Sequence, residues 1–165
     1  PNPNLNPNLN PNLNPNLNPN LNPNLKAVVR GLYSFLENNR TGEIIARCTP
    51  ETEWVVNGPA SNPKCRTWVG RDGVAAFFNL LHTMWQFDTG SPRLQELYEH
   101  PGGVVVAIGE EKGWVKGSND PFYCRWVHVW EVDVATKSIA RMREFLCPYI
   151  GEEQTPPMSF RCGTV

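Results

Sequence analysis

At 165 residues, 40% of them apolar, with a formal net charge of -1, the chain is long enough for one domain with a proper core. It carries no concentrated cluster of Lys and Arg, which argues against a nucleic-acid surface. It also lacks an apolar helical run of membrane-spanning length and a basic-then-apolar leader. Five cysteines (Cys48, Cys65, Cys124, Cys147, Cys162) are odd in number and lack C-x-x-C spacing, so reduced thiols in a cytoplasmic protein are expected, without a disulfide framework.

Residues 1–25 repeat Asn-Pro-Asn-Leu, with proline at every fourth position from Pro3 to Pro23. Such spacing forbids helix and sheet ladder alike, and the segment is expected to be a disordered tail. It reads as a spacer or interaction tail, or as simple-repeat DNA translated at the start of the gene. From Lys26 the pattern changes. In AVVRGLYSFLENN the residues Val28, Val29, Leu32, Tyr33, Phe35 and Leu36 recur at three- and four-residue steps, which predicts a helix with one buried stripe. Thr41 to Ala46 predicts a short second helix, ended by Thr49-Pro50. Glu51 to Asn57 reads as a strand centred on Trp54, Val55 and Val56.

The segment GPASNPKCRT, residues 58–67, is rich in turn formers and reads as a polar loop. VAAFFNLLHTMW then predicts a third helix with Val74, Phe77, Phe78, Leu81, Met84 and Trp85 on its apolar face. Beyond Arg93 the chain is mostly strand: LQELYEH, a Pro101-Gly102-Gly103 turn, and VVVAIGEEKGWV. After a second turn comes the most informative stretch, PFYCRWVHVWEVDVATKSIARMREFL, which reads as a long hairpin around Ala135-Thr136-Lys137. Its even positions, including Trp126, His128, Trp130 and Val132, share one face. With that face inward and a three-residue loop, Trp126 opposes Leu146, His128 opposes Glu144, and Trp130 opposes Met142. An imidazole and a carboxylate then stand side by side on an aromatic face, which makes His128 and Glu144 the candidate catalytic pair. Residues 26–150 form the expected domain, and residues 151–165 an irregular tail.

Helices followed by a run of strands describe an α+β domain with helices packed on one face of a curved antiparallel sheet. Four segments, LYSFLENNRTGEIIARC with ETEWVVNGP, VGRDGVAAFFNLL, VVVAIGEEKG, and WVHVWEVD with SIARMREFL, together resemble the SnoaL-like polyketide cyclase group of the nuclear transport factor 2-like superfamily. The resemblance implies a cone-shaped, cystatin-like α+β fold with three helices, dimerisation through the outer sheet face, and a pocket for a small apolar molecule. Its members include cyclases, isomerases and non-catalytic binding or dimerisation modules, so the fold does not decide the activity. Transferred onto this chain, the family's pocket histidine and last-strand acid become His128 and Glu144. The family's terminal Asp is absent, because Phe145-Leu146-Cys147 stands there.

Desolvation would raise the carboxyl of Glu144 while His128 pulls it back, so either could serve as base for abstraction of a proton beside a carbonyl. Tyr33 or Asn57 would donate to the enolate oxygen. Trp54, Trp126, Trp130 and Met142 are the expected pocket lining. The expected chemistry uses no cofactor and no metal, since one His and one Glu fall short of a ligand set.

Overall fold

The computed structural model describes residues 25–100, 102–133 and 135–148, with Cys147 and Pro148 as backbone only. The proline repeat up to residue 24 and the C-terminal tail lie outside the described residues. The elements are α1 (Leu25–Glu37), α2 (Thr41–Ile45), β1 (Cys48–Asn57), β2 (Thr67–Val69), α3 (Gly70–Met84), β3 (Trp85–Phe87), β4 (Arg93–His100), β5 (Val104–Val115), β6 (Pro121–Val132) and β7 (Ile139–Pro148). Helix α1 buries Leu25, Val29, Leu32 and Tyr33, a stripe at four-, three- and one-residue steps that packs onto the sheet. Leu25 therefore belongs to the helix and not to the repeat, because its side chain is part of the core. No described helix is long and apolar enough to cross a membrane.

The strands form one sheet in the order β2-β1-β7-β6-β5-β3, with β4 also paired to β5. β5 is long enough to hold two partners on one edge: β4 along Val104–Glu110 and β3 along Gly113–Val115. One junction departs from the all-antiparallel expectation, since β1 and β7 run parallel. The chain reaches that arrangement by crossing over through α3 and the β5–β6–β7 meander, which a strand-by-strand reading of turns does not reveal. The two shortest strands, β2 and β3, flank α3 and were not expected; their first residues, Thr67 and Trp85, were read as loop and helix.

Register in the hairpin is as its side-chain parity requires: Trp126 lies opposite Leu146, His128 opposite Glu144 and Trp130 opposite Met142. Asp133 closes the turn, where its Oδ1 accepts from the Thr136 backbone N–H at 2.8 Å and the Thr136 hydroxyl at 2.9 Å. Irregularities at Glu131/Val132, Leu94/Glu96 and Cys48/Glu53 add local bend to strands that already twist, and the sheet curls into a half-barrel around α1 and α3. Glycine makes one close approach possible. Gly109 lies opposite Trp126, and a Cβ there would overlap the Trp126 ring and the Arg93 carbonyl.

Inside the curl, Trp126, Trp130, Met142, Ile139 and Val105 pack with Val29, Leu32 and Tyr33 of α1 and with Ile44 of α2. The opposite face carries charge among partly exposed apolar groups. Arg141 donates to Glu53 at 2.6 Å and Arg143 to Glu131 at 2.7 Å, and Phe145 is 41% exposed beside them on β7.

Candidate functional site

Three rings of the core form a stack. Tyr33 and His128 both lie over Trp126, with centroids 5.3 Å and 4.1 Å from it and ring planes nearly parallel in each case. Within this stack runs a chain of hydrogen bonds. The indole N–H of Trp130 donates to the Tyr33 hydroxyl oxygen at 3.0 Å, and Tyr33 Oη is 2.7 Å from Nδ1 of His128. Tyr33 is fully buried, so its single O–H needs an acceptor, and Nδ1 is the one within reach. Nδ1 is thereby the accepting nitrogen, and the imidazole proton resides on Nε2. That N–H is buried and has no hydrogen-bond partner among the described residues.

Burial lowers the His128 imidazole to about 3; the Glu111 carboxylate opposes the shift and the Lys64 ammonium adds to it. His128 is accordingly a neutral donor near pH 7. Burial likewise pushes the Tyr33 phenol well above its ordinary value, with the bond from Trp130 opposing and Glu144 reinforcing the shift. Tyr33 holds its proton and spends it on His128. Both findings reassign the expected roles. His128 has no free nitrogen with which to act as base, and Tyr33 does not reach a ligand.

Glu144 stands across the hairpin, its Oε2 3.9 Å from Nε2 of His128, too far for a hydrogen bond. Its close partner is a residue that the sequence reading left in a loop. Lys64 Nζ lies 3.0 Å from Glu144 Oε1 and 3.2 Å from Glu111 Oε1, and all three side chains are largely buried. Burial alone would lower the Lys64 ammonium; the two carboxylates outweigh it and raise it above its ordinary value. The loop is set to deliver this side chain. Asn62 Oδ1 accepts from the Lys64 backbone N–H, the Cys65 N–H bonds back to the Asn62 carbonyl, and the Trp68 indole donates to the Lys64 carbonyl at 3.2 Å.

These groups end a cavity of about 450 Å³. Its inner end is His128, Glu144, Lys64 and Glu111; its apolar walls are Trp54, Phe77, Phe78, Leu81 and Trp85; and Glu37, Asn39 and residues 88–92 edge it. The indole N–H of Trp54 also lacks a partner among the described residues. Of the expected lining residues, Trp54 is on the cavity wall. Trp126, Trp130 and Met142 are not, because α1 and α2 cover that part of the sheet and make it core. Asn57 is exposed, and its side-chain N–H donates to the Glu144 backbone carbonyl at 3.0 Å, a consequence of the parallel β1–β7 pairing. It ties two strands together instead of facing a ligand.

Two residues were missed for different reasons. Glu111 shares parity with Val105 and Ala107 on β5, so alternation could have placed it inside. Lys64 has no periodic context at all. Among the described residues no group of three or more His, Cys, Asp or Glu side chains converges as a metal site.

No protein-family model and no curated protein matches the chain. Solved structures do. A nuclear transport factor 2-like protein of Burkholderia thailandensis is 23% identical, with a TM-score of 0.64 over 74% of this chain and 90% of that one. A protein described as a SnoaL-like polyketide cyclase from Shewanella denitrificans is 14% identical, with a TM-score of 0.61 over 76% and 91%. One described as an isomerase from Rhodopseudomonas palustris is 14% identical, with a TM-score of 0.60 over 75% and 89%.

Lys64 pairs with two largely buried carboxylates, so its removal should be costly. Lys64→Met is expected to lower stability by about 3–5 kcal/mol, read from urea unfolding at pH 7. A loss under about 1 kcal/mol would show that the three groups do not act as one buried cluster. The similarity in fold over about three quarters of the chain leads to one conclusion: this chain has an α+β cone fold shared with solved nuclear transport factor 2-like structures.

Proposed function

We propose that the cavity binds a small, mostly apolar carbonyl compound and moves a proton on the carbon next to the carbonyl, as a cofactor-independent cyclase or isomerase. The observation that carries this reading is the pairing of an unpartnered donor, His128 Nε2–H, with a carboxylate oxygen, Glu144 Oε2, 3.9 Å away at the end of an aromatic cavity. A carbonyl oxygen accepts from Nε2–H while Oε2 removes the adjacent proton. The C–H electrons become a carbon–carbon double bond and the carbonyl π electrons move onto oxygen, where the neutral imidazole stabilises them. Return of the proton to a different carbon isomerises the substrate; attack by the enolate carbon on a second carbonyl closes a ring. The similarity to structures described as a polyketide cyclase and an isomerase supports this reading.

A second reading is favoured by a specific contact. Lys64 engages Glu144 Oε1 at 3.0 Å, which commits one oxygen of that carboxylate to an ion pair within the protein and suits a non-catalytic binding module of the same fold. Exchange of ketone α-protons for solvent deuterium separates the two. With acetylnaphthalene in deuterium oxide, the chain is expected to accelerate loss of the methyl proton signal over buffer, and His128→Gln and Glu144→Gln should each lower that rate by about 100-fold or more. Equal rates in both folded variants would remove proton transfer and leave binding.

A homodimer in the cytoplasm belongs to the same proposal. Phe145, Val127 and Val129 among the paired charges of the outer sheet face support the dimer, and the odd, scattered cysteines support the compartment. Light scattering in solution should give twice the chain mass; a monomer at micromolar concentration would contradict the dimer.

A further inference from the structure

The inner end of the cavity has a charge that the proton-transfer reading does not use. Lys64 supplies one positive charge, whereas Glu111 and Glu144 each supply a negative one, all within hydrogen-bonding reach of that ammonium. His128 adds none, because its imidazole is neutral. The cluster is therefore net anionic by one charge, in a place where burial and aromatic walls screen it poorly. At the edge the charges balance, with Glu37 and with Asp88, which is 3.9 Å from Lys112, against Lys112 and Lys116, so the excess negative charge is confined to the inner end.

The second, independent observation is the His128 Nε2–H, more than nine-tenths buried, unpartnered among the described residues and on the cavity lining. It marks the inner end as a place for an acceptor atom. An acceptor that is already an anion meets a net negative cluster there, while an uncharged carbonyl does not. Were Glu111 absent, Lys64 and Glu144 would cancel, and the same N–H together with the ammonium would suit a carboxylate.

We propose that Glu111 determines ligand charge: with it, the cavity takes uncharged or amine-bearing aromatic molecules and rejects carboxylates. The inference rests on the reading of the cavity as a ligand site. Glu111 reaches this position because β5 alternates inward at Val105, Ala107, Gly109 and Glu111, and its partner Lys64 comes from the loop between β1 and β2. Charge selection thus joins two elements far apart in the sequence. Attraction of a ligand ammonium would gain further from Trp54, Phe77, Phe78 and Trp85, whose ring faces favour cations.

Titration calorimetry of the full chain at pH 7.5 with three matched probes tests this: acetylnaphthalene, its carboxylate derivative and its aminomethyl derivative. The neutral and ammonium probes should bind, and the carboxylate at least about 10-fold more weakly, a difference of about 1.4 kcal/mol. Glu111→Gln should remove most of that discrimination by strengthening carboxylate binding; Glu111→Met replaces it if circular dichroism shows the first variant unfolded. Carboxylate binding as tight as the neutral probe in the unaltered chain would overturn the proposal, as would unchanged discrimination in a folded Glu111 variant. Failure of all three probes to bind would instead overturn the ligand-site reading on which the proposal rests.

Discussion

A tyrosine hydroxyl that can give only one proton decides what this fold can do. Trp130 donates to Tyr33 Oη, and Tyr33 must then spend its own proton on Nδ1 of His128, the acceptor within reach among the described residues. The rings of Tyr33 and His128 both stack on Trp126, and the bond from Tyr33 Oη to Nδ1 holds the imidazole in that orientation. Helix α1 thus acts on the cavity through Tyr33, a residue that does not itself line it. It fixes the tautomer of a strand residue, and that tautomer aims an N–H into the cavity.

The surrounding charges follow a different logic. A buried carboxylate on β7 alone would be expensive, and Lys64 answers it; yet Lys64 also holds Glu111, so the cluster carries an excess negative charge into a largely apolar cavity. Buried ionic clusters in general add little stability over well-packed apolar groups of the same volume. What the ionic cluster supplies instead is geometry. Glu144 is held through Oε1, so Oε2 is left facing His128 across 3.9 Å. That gap is wider than a hydrogen bond, so the Nε2–H and Oε2 stand side by side without satisfying one another, and both can address a ligand lying across them.

Much of this was legible in the sequence, for physical reasons that differ by residue. The pairing of His128 with Glu144 follows from strand parity and a short loop, both local properties, and the buried stripe of α1 follows from helical periodicity. The division of that inward face into core and cavity was not legible. Trp126, Trp130 and Met142 share parity with His128, but coverage by α1 and α2 is a matter of tertiary packing. The parallel contact of β1 with β7, which draws Asn57 onto the Glu144 carbonyl, joins strands almost ninety residues apart and leaves no local trace. Lys64 is the clearest case. In a stretch of turn formers it has no periodicity, and only the Asn62 turn and the Trp68 indole bond to its carbonyl explain why a lysine points inward.

The most direct measurement is the nitrogen NMR spectrum of the His128 ring, followed from pH 8 to pH 5. Burial lowers the folded imidazole from its ordinary 6.5 to about 3, so the ring should remain neutral throughout that range, with its proton on Nε2 and an unprotonated Nδ1. By the same sign, the unfolded chain takes up a proton that the folded chain does not as pH falls below about 6.5, so this residue's contribution to stability declines toward acid. A ring protonated on Nδ1, or one that titrates near 6.5, would contradict the account at its centre, because His128 would then have no fixed donor to offer the cavity.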